Sequence, residues 1–340
     1  MREKGQGQQT IKLKNPIGVA AAASVVGPKE GEGPLRKDFD FISDDAYFKE
    51  KTWEGAESAM LRQAFTLACD KAKLPPSSLN YIFSGDLLNQ CVGSSYALRD
   101  TGVPFFGIFG ACSTMAEALS LAAMTIDGGF ADTCAAATCS HFCTAERQFR
   151  LPLEYGGQRT PTAQWTVTGA GAVILKDGGP APYLTHVTTG KIVDAGVTDA
   201  NNMGAAMAPA AYDTISAHFA DTGRTPSDYD AIVTGDLGRI GQDILRELFL
   251  GDGVDLGLRY MDCGILIYSG KAQDTHAGGS GCGCGASVLA GHLLRGMTDG
   301  RWPRLLFCAT GALMSTTMSQ QGESIPGICH AVVLDMNPDN

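Results

Sequence analysis

The chain lacks any apolar run near the roughly 20 residues that a membrane-spanning helix needs, so no segment of it is expected to cross a bilayer. It also lacks a cluster of lysine or arginine. With a formal net charge of −10, that absence argues against a nucleic-acid partner and against direct binding to an anionic lipid surface. Low-complexity runs and a disordered linker are missing too. The eleven cysteines show neither disulfide-like spacing nor a secretory signal, and several, such as Cys134 and Cys308, lie in apolar strands. They are expected to be reduced, mostly buried and cytosolic. Cys282-x-Cys284 has no second pair and no histidines at ligand spacing, which leaves it short of a zinc site.

What the chain does have is glycine and a large apolar fraction. Its 340 residues are 44% hydrophobic and 18% charged, enough for a large core in two domains or two fused halves. The 43 glycines fall at the ends of predicted helices and strands, the pattern of a tightly wound α/β protein with close backbone approaches.

The stretch FGACSTMAEAL at 109–119 puts Cys112 at a predicted helix start. Thr114-x-x-Glu117 has the form of a capping box, and unpaired helix N–H groups beside the thiol favour a thiolate. Met115, Ala118, Leu119, Ala122, Ala123 and Ile126 continue at helical spacing as far as Gly128-Gly129. An inert cysteine packed under an alanine-rich helix fits the same pattern. Upstream, residues 17–26 read as a strand and 27–34 as a Gly/Pro/Glu-rich loop with its charge on a solvated face. Residues 55–74 read as an amphipathic helix and 79–83 as a strand.

The chain repeats itself. Pro226, Ser227, Ile232, Gly235, Asp236 and Leu237 stand 150 positions after Pro76, Ser77, Ile82, Gly85, Asp86 and Leu87. Cys112 to Thr138 and Cys284 to Thr310 are both 26 residues, with Asp-Gly at 127–128 and 299–300 ending the helices between. Ala172 to Leu175 matches Ala331 to Leu334. Three collinear matches define two copies of one strand-helix-strand module, expected as halves 1–185 and 186–340 on parallel sheets covered on both faces. Half one spends 34 residues between Thr138 and Ala172, where half two spends 21 between Thr310 and Ala331. The extra length, about 139–165, carries His141, Arg147, Arg150 and Arg159 and is expected to roof a pocket over Cys112. Gly169-Ala170-Gly171 lies inside a strand with no following helix, which rejects a dinucleotide fingerprint.

A duplicated α/β module with a cysteine at the buried helix of half one resembles the thiolase and ketoacyl-synthase superfamily. The strings SGDLLNQ at 84–90, FGACST at 109–114, TAERQFR at 144–150, EYGGQ at 154–158, MGAAMAPAA at 203–211 and AGGSGC at 277–282 are similar to its stage V sporulation protein AD family. The resemblance implies a thiolase-like fold, two duplicated αβ halves packed as a five-layer αβαβα sandwich. It also implies a soluble homodimer that binds dipicolinic acid (pyridine-2,6-dicarboxylate), for loading into the developing spore and release at germination. Membrane subunits of the same transport system would hold it at the forespore or inner spore membrane. No cofactor is implied, unless calcium arrives as part of the ligand.

Condensing enzymes of the superfamily add a histidine after the first half-two strand and an asparagine, second histidine or cysteine near the second helix. Here those positions fall in Thr234-Gly235-Asp236-Leu237 and Gly279-Ser280-Gly281, with neither histidine nor asparagine. Condensation is therefore not expected, although His276, Cys282 and Cys284 are candidates for a proton-transfer role. The alternatives are an acyltransferase or ketoacyl synthase using Cys112 on an acyl thioester, and a scaffold with a vestigial pocket. The expected ligand-binding set is Asp86, Cys112, His141, Arg147, Gln148, Arg150, His276 and Ser280. Helix N–H groups would take one carboxylate, Arg147 or Arg150 the other, and His141 a carboxylate or the ring nitrogen. Salt bridges of the arginines to Glu146 or Glu154 compete with that role. Asp86 enters on the resemblance alone, facing a calcium chelate or the Cys112 loop. His186, His218, His292 and His330 read as ordinary surface or core histidines.

Overall fold

The computed structural model describes residues 5–149 and 159–337. Half one contributes β1 (Thr10–Val26), α1 (Trp53–Ala72), β2 (Tyr81–Gly85), α2 (Val92–Leu98), β3 (Phe105–Gly107), α3 (Thr114–Asp127), β4 (Thr133–Ser140), α4 (Phe142–Phe149) and β5 (Gly169–Asp177). Half two contributes β6 (Tyr183–Thr188), α5 (Met203–Thr222), β7 (Ala231–Thr234), α6 (Gly238–Gly251), β8 (Tyr260–Asp262), α7 (Cys282–Val288), β9 (Arg304–Ala312) and β10 (Gly327–Asp335). α7 runs on through a π turn at Leu289–Leu293 into a last helical turn at Leu294–Thr298.

The strands form two arrays of identical order, β3-β2-β4-β5-β1 and β8-β7-β9-β10-β6. Pairing types match as well: the first three strands of each array are parallel and the last two antiparallel. β1 and β6 pair antiparallel and join the arrays into one hydrogen-bonded path. The duplication read from the sequence is thus a duplication of topology. The expectation of parallel sheets needs correction, because β4→β5 and β9→β10 return without a crossover helix, which only an antiparallel neighbour allows.

Strand side chains alternate between two cores. Ala135, Ala137 and Cys139 of β4 face outward under α1, against Met60, Ala64 and Phe65. Cys134 and Ala136 face inward, into a core shared with Met115, Leu119 and Ala122 of α3 and Cys284, Ala286 and Val288 of α7. Val173 of the first array and Phe307 and Val332 of the second line the same core. α5 and α6 cover the far face of the second array through Met207, Ala211, Ile215 and Leu245. The order is helices, sheet, α3 with α7, sheet, helices: the five-layer αβαβα sandwich. The central layer leaves little room. A Cβ on Gly171 would lie 2.2 Å from the Ala286 carbonyl oxygen, so β5 and α7 meet backbone to backbone. That contact is what the Gly-Ala-Gly run serves.

Local expectations shift at the margins. α1 starts at Trp53, capped by Thr52, whose Oγ1 accepts from the Gly55 N–H at 3.1 Å. The strand of half two begins at Tyr183, so a division at 185/186 falls inside β6. Residues 28–31 form a helical turn, and their charge is not all solvated: Glu30 is 1% exposed and accepts from the Thr168 N–H at 3.0 Å and from the Tyr268 hydroxyl. Burial at the seam between loops outweighs the polar composition that suggested a surface. His186, His218 and His330 sit in the core region, where burial lowers their pKa values to about 4, 3 and 4.

Candidate functional site

Cys112 lies in a 3₁₀ turn, Ala111–Ser113, at the head of α3. Ala111 just before it is left-handed, with φ at +49°, a strained conformation for a residue with a Cβ. Side chains lock the turn: Ser113 Oγ donates to the Gly110 carbonyl at 2.7 Å and Thr114 Oγ1 to the Ala111 carbonyl at 2.6 Å. The Gly110 N–H donates to Thr114 Oγ1 at 3.2 Å. The predicted capping box does not form. Ser113 takes the cap position without a side-chain cap, and Glu117 keeps a buried Oε2 with no hydrogen-bond partner. The turn is pressed onto half two, where a Cβ on Gly311 of β9 would lie 2.4 Å from the Gly110 carbonyl oxygen.

Half two answers with a carboxyl group. Asp236, fully buried after β7, accepts from the Gly281 N–H at 2.8 Å, Thr310 Oγ1 at 2.9 Å and Ser280 Oγ at 3.3 Å, and the Cys112 thiol lies against it. Burial first, then the neighbouring Asp262 charge, raises Asp236 to a pKa of about 7, against the lowering by its donors. Burial and the Asp236 charge in turn push the Cys112 thiol well above its ordinary value. A buried carboxyl group and a second buried thiol face the sulfur, and burial with these neighbours outweighs the helix terminus that favours a thiolate. Behind it, Cys282 donates to the Cys139 carbonyl at 2.9 Å, and Cys139 faces Glu57 at 3.7 Å. Glu57 also accepts from Thr144 Oγ1 at 2.6 Å; burial and the nearby Asp86 raise it to a pKa of about 8.

Above this cluster opens a cavity of about 600 Å³, lined by Glu54, Leu88, Asn89, Phe109, Arg147, Gln148, Phe149 and residues 314–317. Cys112 and Phe149, a residue of the cavity lining, pack against the same small apolar cluster of Leu87, Ala145 and Cys282. Residues 7–335 match the family profile described as Stage V sporulation protein AD (SpoVAD). The chain is 46% identical over 329 residues to the Stage V sporulation protein AD of Bacillus subtilis strain 168, covering 97% of each. The chain belongs to the stage V sporulation protein AD family. In fold it is similar to 3-oxoacyl-[acyl-carrier-protein] synthase III from Aquifex aeolicus, 14% identical with a TM-score of 0.56 over 94% of this chain and 99% of that one. It is also similar to the cerulenin-bound OleA of Xanthomonas campestris, 16% identical with a TM-score of 0.60 over 98% of this chain and 100% of that one. At such identity these structures show the thiolase-like fold alone.

The expected ligand set is only partly brought together. Cys112 and Ser280 meet at Asp236, and Arg147 and Gln148 line the cavity. Arg147 pairs with Glu54; Glu154, one of the partners considered above, lies outside the described residues. Gln148 spends both ends of its amide on the rim loop, Nε2 to the Leu87 carbonyl at 2.7 Å and Oε1 to the Asn89 N–H at 3.0 Å. His141 is 1% exposed, its Nε2 on the Ala46 carbonyl at 2.8 Å and its Nδ1 accepting from the Cys143 N–H at 3.1 Å. Its ring is used up by the fold. Asp86 is likewise internal, held by the Leu88 N–H at 2.8 Å and by the Ser94 N–H and Oγ, both at 2.7 Å. His276 contacts the Thr160 carbonyl at 2.7 Å and Asp274 at 3.1 Å. Arg150 and the string at 154–158 lie outside the described residues. Asp236 and Thr310 are the residues the sequence reading passed over, as repeat partners of Asp86 and Thr138; Glu54, at the very start of an ordinary amphipathic helix, carried no signal.

Two outcomes follow. Glu57, Asp236 and Asp262 keep protons in the folded chain to about pH 8, 7 and 6 and release them near the ordinary carboxyl value when unfolded. Their stabilisation is complete at pH values below the ordinary carboxyl range and is lost as pH rises through 6 to 8. The thermal midpoint should fall from about pH 4.5 to about pH 8 in a differential scanning series, and Glu57→Gln should flatten the upper part of that fall. Iodoacetamide should alkylate Cys112 at about pH 7.5 at least about tenfold more slowly than free cysteine, and Asp236→Asn should speed it severalfold. Peptide mass spectrometry reads both rates, and a wild-type rate equal to free cysteine would contradict the protonated thiol.

Proposed function

We propose that this protein binds dipicolinate in the cavity beside Cys112, as the soluble subunit of a membrane transport system that loads the acid into the developing spore and releases it at germination. Family membership supports the sporulation role. The observation that carries the ligand reading is the cavity itself: its lining holds Phe109, Phe149 and Leu88, Arg147 as the cation among the described residues, and the hydroxyls at 315–317. Flat apolar walls suit a pyridine ring, and a guanidinium suits a carboxylate in bidentate contact.

Condensation chemistry is left out because the group at the sulfur is an acid that raises the thiol, where a nucleophile needs a base or cation that lowers it. A homodimer forms, in this reading, along β3. That strand is the edge of the sheet, all three of its residues are exposed, and Phe106 and Phe109 are 51% and 48% exposed. An unpaired apolar edge invites a second strand. Among the described residues no helix is long and apolar enough to cross a membrane. Attachment to the forespore membrane, in the same reading, runs through partner subunits.

Isothermal titration with dipicolinate should give saturable binding, and Arg147→Ala should weaken it by about 10–100-fold, the loss of one charge-assisted contact. Heat with an acyl-CoA alone, together with acylated Cys112, would replace this reading by the acyltransferase one. Sedimentation velocity should report a dimer that Phe106→Glu converts to a monomer.

A further inference from the structure

The helix that walls the cavity has few anchors. Of the residues of α4, Thr144 and Ala145 are the buried ones, yet the helix carries Arg147, Gln148 and Phe149 into the cavity lining. Its rim contacts, Arg147 with Glu54 and Gln148 with the Leu87 carbonyl and the Asn89 N–H, are partly open to solvent. The buried polar contact between α4 and α1 is the one from Thr144 to Glu57.

That contact depends on a proton. Thr144 Oγ1 lies 2.6 Å from Glu57 Oε2 and 2.9 Å from the His141 carbonyl oxygen, and a hydroxyl has one proton to donate. With Glu57 protonated, the carboxyl donates to Thr144 and Thr144 donates on to His141, so every partner is used. With Glu57 ionised, Thr144 turns its proton to the carboxylate, and the His141 carbonyl keeps the Ala145 N–H at 3.1 Å.

The surroundings hold the proton on Glu57. A Cβ on Gly93 of α2 would lie 3.1 Å from both Glu57 Oε1 and Asp86 Cγ, so two carboxyl groups flank one glycine. Asp86 accepts from three donors, the Leu88 N–H and the N–H and Oγ of Ser94, whereas Glu57 faces the Thr144 hydroxyl and, at 3.7 Å, the Cys139 thiol. Of two close acids, the one with fewer donors keeps the proton. Cys139 of β4 and Cys282 of α7 feel the Glu57 charge and are themselves pushed well above the ordinary thiol value. Burial lowers the pKa of His141 at the head of α4, and the cation of that helix, Arg147, is taken by Glu54. Ionising Glu57 therefore sets a second negative charge beside Asp86, at the foot of both α4 and the rim loop.

We propose that Glu57 is a positioning residue whose proton latches α4 in place, so that the cavity wall loosens as pH rises. The latch acts on the wall whatever fills the cavity, and only its ligand arm rests on the dipicolinate reading above. In the closed wall Glu57 keeps its proton to about pH 8; in an opened wall, wetted by solvent, it releases it near the ordinary carboxyl value. Opening thus sheds one proton and becomes easier by up to about tenfold per pH unit across that window, levelling off above it.

Hydrogen exchange of the α4 amides, corrected for the intrinsic rate, tests this without a ligand. Wild type should show the climb between about pH 6 and 8, and the amides of α5, on the far face of the second array, should not. Glu57→Gln, whose amide can donate to Thr144 as the protonated acid does, should remove the climb. Thr144→Val should bring α4 exchange at about pH 6 up to the wild-type level at about pH 8, and Thr144→Ser, which restores the hydroxyl, should return the wild-type profile. Dipicolinate should bind wild type severalfold more weakly at about pH 8.5 than at about pH 6.5, and Glu57→Gln equally at both. A flat wild-type exchange profile, a climb that survives in Glu57→Gln, or a loss of affinity that Glu57→Gln shares overturns the latch. Dipicolinate that binds at neither pH, with the exchange climb present, overturns the ligand reading and leaves the latch supported.

Discussion

The molecule depends on one steric constraint: α3 and α7 share a single layer between two sheets. α7 is buried all round and α3 on all but a strip at Glu117, Leu121 and Met124, so both are built from small residues, chiefly alanine, glycine and cysteine, with a few larger apolar ones. At Gly171 and Gly311 the approach is so close that backbone meets backbone. Everything that bears on chemistry follows from that layer. Cys112 is carried to the seam between halves because the head of α3 must rest on β9. Its surroundings are then supplied by half two, from the ends of β7 and β9 and the start of α7.

Duplication put equivalent aspartates in both halves, and different neighbours gave them different work. Asp86 accepts from Leu88 and Ser94, donors of its own following loop, and is used up in shaping the entry to α2. In half two that task passes to Asp262, which accepts from the N–H groups of Leu237 and Gly238 at 2.8 and 3.0 Å. Asp236 is thereby released to turn toward Cys112. One acid added at the end of β8 changes a loop cap into a residue that faces the Cys112 thiol.

The electrostatics divide the same way. Acids with raised pKa values cluster around the seam, at Glu57, Asp86, Asp236 and Asp262, while the neutral buried histidines His186 and His218 lie at the join of β1 and β6. In the cavity outside that centre, Arg147 and Glu54 form an ion pair.

The sequence by itself determined the family, the duplication, the helix under Cys112 and the insertion that lines the cavity, because each is written in local periodicity or in matched strings along the chain. It also singled out Arg147 and Gln148, which line one cavity, and Cys112 and Ser280, which meet at Asp236. What it misplaced are contacts between residues far apart in the chain: His141 against Ala46, Asp236 against Cys112 and Gly281, Arg147 against Glu54. No spacing rule encodes those, since a polar side chain of given type serves the fold or the ligand according to which donors the other half brings to it. Only tertiary packing decided that, by burying His141 and Asp86 among their own partners while leaving Arg147 and Glu54 on an open wall.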